Sequence, residues 1–387
     1  MRARIPLVAA GLVVSAALAL PGCGDDGGPR GASHVEGSGT YQPGTPEDAA
    51  AGAAIVQEVG AELYAPIVDA AGDANVVYSP LSIASVLAMT RVGASGASAD
   101  QLDAFLGTGS DGVQPSDVAA AADLVDDQTG PVQLAGGDMG EIELTNANAL
   151  WGQSGVTWQQ PFLDELTTGF DSSMWMADYA TDPEHARREI NDWVAEHTRE
   201  HIPELLPKGS ITEETRLTLT NALWFKAPWP KDLDDVGEQP FTTTSRSEID
   251  VPMVRTTGTY AYRQEDGWTS VTLPYAGDDL AMTFVVPDDG QLDGFDAALD
   301  ADLLREAITG GTPTAVQLTF PTIDLDQRSA LGEALRTSGV TAPFTTDTDF
   351  EPMTTDERAQ PLHLADVVHQ ATVTVDEQLL DLLRTEH

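Results

Sequence analysis

The sequence predicts an α+β fold in one domain, with helices mainly in the first half of the chain and strands in the second. In residues 50–71, Ile55 and Val59 begin an apolar row at the spacing of one helical face. Residues 216–225, RLTLTNALWF, form an apolar run typical of a buried strand. No linker is evident between the two halves, so we expect them to share one core.

Residues 1–22 are typical of a lipoprotein signal peptide. Two arginines precede an apolar segment at residues 7–20, which is too short for a good membrane span. Residues 20–23, LPGC, match a bacterial lipobox, in which Cys23 is lipidated and the chain is cut before it. Cys23 is the only cysteine, and ordinary signal cleavage beside a chance cysteine is the alternative. We therefore expect an extracytoplasmic protein, lipid-anchored to the cell envelope or facing the extracellular space, with the signal peptide outside the fold.

Residues 23–46 are predicted to be the lipidated cysteine and a flexible tether, because Gly, Ser, Thr, Pro and Asp dominate and no apolar period is present. The folded body is expected to begin near Glu47 and to meet a membrane only through the lipid. The formal net charge of −43 argues against nucleic acid and anionic lipid surfaces as partners, because both would repel the protein.

Within the body, apolar spacing and end signals predict the elements in order. Ser79 offers an N-cap before Pro80, and Gly93 is expected to stop that helix. Pro203 is expected to end a later helix near His201, because the residue before a proline avoids the helical conformation. The predicted helices span residues 50–71, 80–92, 118–125, 162–170, 182–201 and 328–337. The predicted strands span residues 76–78, 143–151, 216–225, 259–263, 270–273, 281–286, 315–320 and 364–377.

The last predicted strand, residues 364–377 (LADVVHQATVTVDE), alternates between two faces. Val367, His369 and Val375 lie on one face, and Gln370 lies on the other. A lone inward histidine is more often a core group hydrogen-bonded to its neighbours than a catalytic group, so we expect the structural role for His369.

Catalytic and metal-binding motifs are weak. The run from His197 to His201 reads H-x-x-E-H, the spacing at which a helix presents two zinc ligands beside a general base. Because Pro203 follows closely and His197 continues an apolar face, a metalloenzyme at His197 and His201 is the weakest of the functions considered. The sequence contains no G-x-S-x-G elbow and no phosphate-binding glycine loop, so we expect neither an enzyme nor a cofactor.

Several runs of the sequence, in order, resemble signatures of the serpin family. They are NVVYSPLSIASVLAMTRVGASGASADQL at 75–102, INDWVAEHTREHIPELL at 190–206, TRLTLTNALWFKAPW at 215–229, VPM at 251–253, LPYAG at 273–277 and VVH at 367–369. The resemblance extends over residues 47–377 and identifies the chain as a serpin in a bacterial lipoprotein form. It implies a serpin fold of helices plus three β-sheets, and a monomer that inhibits serine proteases or, in some members, cysteine proteases. The target protease cleaves an exposed reactive loop, which then inserts into the large sheet as a new strand, so the inhibitor is a suicide substrate.

The resemblance also implies roles for individual residues. The family's shutter, a polar cluster beneath the opening sheet, maps onto Ser79, Ser82, Asn221 and His369. The breach, where insertion starts, maps onto Trp229. The family's glycine and basic residue before that tryptophan are replaced by Ala227 and Pro228, and the basic residue after the strand histidine is replaced by Gln370.

Val375, Asp376 and Glu377 correspond to the stem of the reactive loop. An inhibitory serpin continues with glycine and small residues, which enter the sheet easily, whereas residues 378–387 (QLLDLLRTEH) are a non-family tail. We therefore expect a C-terminally truncated serpin, inactive as an inhibitor because the reactive loop and C-terminal strands are absent. The alternative is a non-inhibitory surface-tethered binding protein or a truncated remnant.

Overall fold

The computed structural model describes residues 7–9 and 33–375, with gaps at 110–111, 232, 244–246, 347–348 and 366. The predicted lipidation site Cys23, the stem residues Asp376 and Glu377, and the predicted tail at 378–387 lie outside the described residues. Within the described ranges, the α-helices are α1 Pro46–Ala71, α2 Pro80–Val92, α3 Gly96–Leu106, α4 Asp117–Asp126, α5 Gln160–Phe170, α6 Pro183–His197, α7 Leu292–Ala298, α8 Ala301–Thr309 and α9 Gly332–Thr337. Two short 3-10 helices lie at Ala342–Phe344 and Glu357–Ala359.

The strands alternate with these helices and dominate the second half of the chain, as predicted. They are β1 Leu7–Ala9, β2 Ser33–Val35, β3 Gly130–Gln133, β4 Met139–Gln153, β5 Met174–Ala177, β6 Leu217–Lys226, β7 Asp234–Thr242, β8 Glu248–Glu265, β9 Trp268–Pro274, β10 Ala281–Pro287, β11 Thr312–Pro321, β12 Ile323–Ala330 and β13 Val367–Val375.

Helix ends follow local capping chemistry. Thr45 and Asp48 form a capping box at the start of α1, in which the Thr45 hydroxyl accepts from the Asp48 amide and the Asp48 carboxylate accepts from the Thr45 amide. Helix α6 ends at His197, before the predicted limit near His201, because Arg199 and Glu200 adopt positive φ angles of 50° and 66°.

Two predicted elements are wrong. Residues 76–78 form no strand in the structure. Residues 328–337 are not one helix, because β12 continues to Ala330 before α9 begins. The alternation of Ile323 and Leu325 with aspartates favours the strand, since it gives β12 one buried and one polar face.

The larger sheet has seven strands. Its order is β12-β13-β6-β4-β5-β2, and β3 pairs with β4. Strands β13 and β6 are parallel neighbours at its centre, and both are flanked by antiparallel partners, β12 and β4. Helix α2 packs with β4 and β6 in one apolar cluster on one face, and α6 packs on the opposite face in another. The central pair is therefore buried from both sides.

The second sheet has six strands in the order β1-β10-β9-β8-β11, with β7 also paired to β8. Strand β8 is long enough to pair with β7 along its first part and with β9 along its last part, while β11 pairs across the middle. The family resemblance implies three sheets, whereas the described strands form two hydrogen-bonded sheets, because β8 joins β7, β9 and β11 in one sheet.

Both segments expected outside the fold contain residues that contact it. Leu7–Ala9, inside the predicted signal peptide, pair with β10, because an open strand edge accepts an extended apolar segment. Residues 33–46 are not a free tether: Ser33–Val35 pair with β5, and Pro46 already belongs to α1. Composition misled the prediction, because the backbone amides of this polar segment find acceptors on the body. Among the described residues, no helix combines the length and apolarity that a membrane crossing needs.

Candidate functional site

The candidate site is the boundary between β6 and β13, the two parallel strands at the centre of the seven-stranded sheet. Their ladder joins five residue pairs, the last being Ala371 opposite Leu223. Among the described residues the two strands form no further pairs with each other, although both continue and remain paired on their outer sides. We call the paired part, residues 219–223 and 367–371, the closed half, and the parts that follow it along both strands, residues 224–226 and 372–375, the open half.

A row of polar side chains crosses the closed half on the α2 face of the sheet. His369 lies opposite Asn221, and Asn221 lies opposite Asn148 of β4. Nδ1 of His369 is 2.6 Å from Oδ1 of Asn221, and Nδ2 of Asn221 donates to Oδ1 of Asn148 at 2.8 Å. His369 and Asn221 are fully buried. The row therefore joins β13, β6 and β4 through directional side-chain bonds.

The N-terminus of α2 supplies the remaining partner. The Ser79 amide donates to Nε2 of His369 at 3.0 Å. The Ser79 hydroxyl caps α2 by accepting from the Ser82 amide, and it donates to the Ser82 hydroxyl at 2.9 Å. The structure thus brings together the four residues that the resemblance assigns to the shutter: Ser79, Ser82, Asn221 and His369.

His369 is neutral in this arrangement. Because Nε2 accepts the Ser79 N–H, the ring proton resides on Nδ1, from which it is donated to Asn221. Burial lowers the pKa of His369 to about 3, since a charged imidazole would lose its hydration without gaining a carboxylate partner. The cluster is therefore a chain of neutral hydrogen bonds near physiological pH.

On the sheet face that carries His369, the open half is lined by apolar side chains. Val375 and Ile323 are buried in one cluster with Trp229, and Val373 and Phe225 pack against that cluster. Apolar contact is not directional, so it does not fix the separation of β6 and β13 as the polar row does.

Trp229, the residue implied in the breach, lies beside the open half. Its ring stacks on Tyr275 with centroids 4.5 Å apart and an interplanar angle of 19°. Its Nε1 has no acceptor among the described residues. Ala227 is buried, and the carbonyl of Pro228 accepts from the Ala276 amide, so the two departures from the family pattern fit well-packed positions.

Two polar residues of the site were missed by the sequence analysis. Asn148 extends the row by one strand, and only the register of β4 against β6 reveals it. Asp326 on β12 accepts from Nε2 of Gln370 at 2.7 Å, on the sheet face opposite His369. Gln370 is buried, so its other amide atom, Oε1, is left without a partner among the described residues.

The H-x-x-E-H run does not form a helical metal site. His197 is the last residue of α6 and stacks on Trp193, with Nδ1 2.7 Å from the Trp193 carbonyl oxygen. His201 lies beyond the helix and stacks on Trp224 at 3.8 Å. Each ring is thus held by a different tryptophan, and burial lowers the pKa of His201.

The segment after α6 crosses the sheet face opposite α2. Arg199 forms an ion pair with Glu143 of β4, and Arg328 of β12 donates to the Glu204 carbonyl oxygen. The same segment therefore contacts strands on both sides of the β6–β13 boundary, so any widening of that boundary changes its contacts.

Comparisons with known proteins point to one family. A family model described as Serpin (serine protease inhibitor) matches residues 54–380, three residues into the predicted non-family tail. Serpin B3 of Homo sapiens is 31% identical over 321 residues, which cover 79% of this chain and 80% of that protein. Leukocyte elastase inhibitor of Xenopus tropicalis is 27% identical over 328 residues, covering 82% of this chain and 84% of that protein. The native-state crystal structure of the thermophilic serpin tengpin matches with a TM-score of 0.75 at 20% identity, covering 89% of this chain and 86% of that chain.

Proposed function

The chain belongs to the serpin family, and we propose that its seven-stranded sheet accepts an extended segment as a new strand between β6 and β13. One observation carries the proposal: the central strands are parallel, paired in the closed half and unpaired with each other in the open half. A segment entering at the open half would find the inner edges of both strands, which offer backbone donors and acceptors.

Insertion exchanges one ladder for two. A strand lying antiparallel to both β6 and β13 would replace five parallel pairs by two antiparallel ladders, which are slightly more stable per residue. It would also move β13 away from β6 by about one strand spacing, ~4.8 Å. The His369–Asn221 bond cannot bridge that distance, whereas the Ser79–His369 bond can persist if α2 follows β13. Breaking the polar row is therefore the main local cost of insertion.

A strand-uptake experiment tests this step. An extended peptide alternating alanine and threonine should bind and raise the melting temperature, because a ligand at 100 times its Kd stabilises the native state by about 2.7 kcal/mol. A peptide of the same length with central prolines is the matched control, because proline cannot donate to a ladder. An unchanged melting temperature with both peptides would contradict strand uptake.

We further propose that the natural use of this sheet is inhibition of a serine protease. The name of the Xenopus relative, an elastase inhibitor, supports this class of partner. The test is incubation with trypsin-, chymotrypsin- and subtilisin-like proteases, followed by denaturing electrophoresis. An SDS-stable complex of protease and inhibitor, formed through the serine ester, is the expected result for an inhibitor.

A second function is a serpin scaffold that binds partners without inhibiting proteases. The residues directly after the stem favour it, because Leu379, Leu380 and Leu382 are bulky where an inserting segment needs small side chains. This function predicts peptide uptake without an SDS-stable complex, whereas the inhibitor predicts both.

For the N-terminus, we propose that Cys23 carries a lipid that anchors a monomeric body outside the cytoplasm. The lipobox at residues 20–23 supports it. Expression in a bacterial host should yield a mature chain that starts at Cys23, carries the mass of acyl chains and sediments with membranes. Cys23→Ser should abolish all three properties.

A further inference from the structure

Residues 33–45, which we call the strap, lie against the edge of the seven-stranded sheet and against α5. Strand β2 pairs with β5 from Ser33 to Val35. The Gly37 amide then donates to Oγ1 of Thr167 at 2.9 Å, and the Gln42 amide donates to the Thr168 carbonyl oxygen at 3.0 Å. Backbone donors along the strap thus have partners on α5, so the strap is part of the folded body.

Two glycines let the strap approach the helices closely. A Cβ at Gly37 would lie 2.2 Å from the Leu163 carbonyl oxygen, and a Cβ at Gly44 would lie 2.4 Å from Cβ of Ala120 on α4. Between them, the Tyr41 hydroxyl donates to Oδ2 of Asp123 at 2.5 Å. A side chain at Gly37 would therefore force the strap away from α5.

The register fixes where the strap begins. Ser33 lies opposite Met176, Met176 opposite Gly152, and Gly152 opposite Leu217, the first residue of β6. The open half lies at the other end of β6, at Lys226, nine residues and about 30 Å away at 3.3 Å per residue. Ser33 therefore joins the body at the end of the seven-stranded sheet opposite the open half.

We infer that the strap orients the body on a lipid bilayer, with the start of β6 toward the membrane and the open half pointing away from it. The inference rests on the proposed lipidation of Cys23. Ser33 lies ten positions after Cys23, and ten Cα–Cα steps span at most about 35 Å when fully extended. The inverted orientation needs Ser33 to stand about 30 Å above the bilayer, so it demands nearly complete extension of that segment and its loss of conformational entropy.

The consequence is access for a soluble partner. With the open half outward, a protein arriving from solution meets the strand-accepting end of the sheet without displacing lipid. The net charge of −43 repels the body from an anionic bilayer, so contacts other than the lipid anchor are disfavoured.

Fluorescence energy transfer to acceptor lipids tests the orientation on the lipidated, vesicle-reconstituted protein. Lipidation occupies the only native cysteine, so a single introduced cysteine can be labelled. Glu214→Cys places the label just before β6, and Asp138→Cys places it in the β3–β4 turn beside the open half; both positions are exposed. Energy transfer to the lipid acceptors should be at least about twofold higher from the Glu214→Cys label. The two labels lie near opposite ends of β6, about 30 Å apart, so the proposed orientation places the Glu214→Cys label much closer to the bilayer. Equal transfer, or higher transfer from the Asp138→Cys label, would overturn the inference.

Strap variants separate orientation from anchoring. Gly37→Val should detach the strap, so that the first fixed residue becomes Thr45, 22 positions after Cys23, or about 75 Å at full extension. The difference between the two labels should then shrink while membrane sedimentation persists. Gly294→Ala is the matched control, because its only neighbour within 4 Å is a side-chain oxygen at 3.8 Å. Absence of lipid on the unmodified chain would overturn both the anchor and the orientation, whereas lipid with equal label transfer would overturn the orientation alone.

Discussion

The closed and open halves of the β6–β13 boundary belong to the same two strands, yet different forces hold them. In the closed half, five backbone pairs and the His369–Asn221–Asn148 row fix the strand separation. In the open half, no mutual pairing is described, and Val375 and Trp229 pack in an apolar cluster. The difference indicates a direction. Between β6 and β13, a new strand first separates apolar contacts in the open half, and it then breaks specific bonds of the closed half, one residue pair after another.

The largest expected loss of stability comes from removing the apolar packing beside the open half. Trp229→Ala removes a buried ring stacked on Tyr275 and should lower the free energy of unfolding by about 3–5 kcal/mol. Chemical denaturation measures it. Trp229→Phe is the matched control, because Nε1 has no described acceptor and most of the apolar contact is kept; it should cost well under half as much. Equal losses for the two variants would show that the indole nitrogen, not the ring packing, is essential.

Breaking the closed half should cost less stability but change strand uptake. Asn221→Ala leaves Nδ1–H of His369 without its acceptor and should lower the free energy of unfolding by about 1–3 kcal/mol. Because the row no longer resists separation, the alanine–threonine peptide should bind faster, as followed by the change in tryptophan fluorescence.

Ser270→Ala controls for stability alone. Ser270 is also buried, and its hydroxyl donates to the Ala307 carbonyl oxygen at 2.8 Å, but it lies on β9 of the other sheet, away from the polar row. This variant should destabilise the protein without accelerating peptide binding. Equal acceleration in the Ser270→Ala and Asn221→Ala variants would mean that general loosening controls uptake.

The smallest expected effect is a pH dependence of stability from His369. Its pKa is lowered to about 3 in the folded protein and is near 6.5 when unfolded. As pH falls, His369 of the unfolded chain therefore takes up a proton before His369 of the folded protein does. The contribution of this residue to the free energy of unfolding is fully present above about pH 6.5 and declines toward pH 3. Between pH 7 and pH 5.5 the loss is about 1 kcal/mol. Urea unfolding of the unmodified protein and of His369→Gln at both pH values isolates this loss. If the free energy of unfolding of the variant fell with pH as steeply as that of the unmodified protein, a buried neutral imidazole would be contradicted.

Sequence patterns predicted one half of this site better than the other. The alternation around His369 and the Ser79–Pro80 cap are local signals. As predicted, His369 is buried within a strand and Ser79 caps a helix. Asn148 could not be found in this way, because its role depends on the register between strands far apart in sequence. The open half is defined by backbone pairs that β6 and β13 do not form with each other. No residue pattern within either strand marks its start at Thr372.

The strap and β12 show a second limit. The composition of residues 33–45 is typical of a linker, because glycine and polar residues dominate both flexible segments and segments that lie tightly on a surface. Gly37 and Gly44 serve close approach rather than flexibility, and only the position of α5 and α4 reveals it. For residues 328–330, the sequence prediction gave more weight to the helix-favouring residues after Arg328 than to the strand period. In the structure these residues remain in β12, because they pair with β13 and tertiary pairing overrides local propensity.

Amide hydrogen exchange with and without the alanine–threonine peptide tests the central claim most directly. If the peptide inserts as a strand, amides of β6 and β13 should exchange more slowly, and the added protection should include residues 224–226 and 372–375, where no mutual pairing exists beforehand. Strands β9 and β10 of the other sheet should be unchanged and serve as the internal reference. Added protection confined to β9 and β10, or absent from the open half, would contradict strand acceptance between β6 and β13.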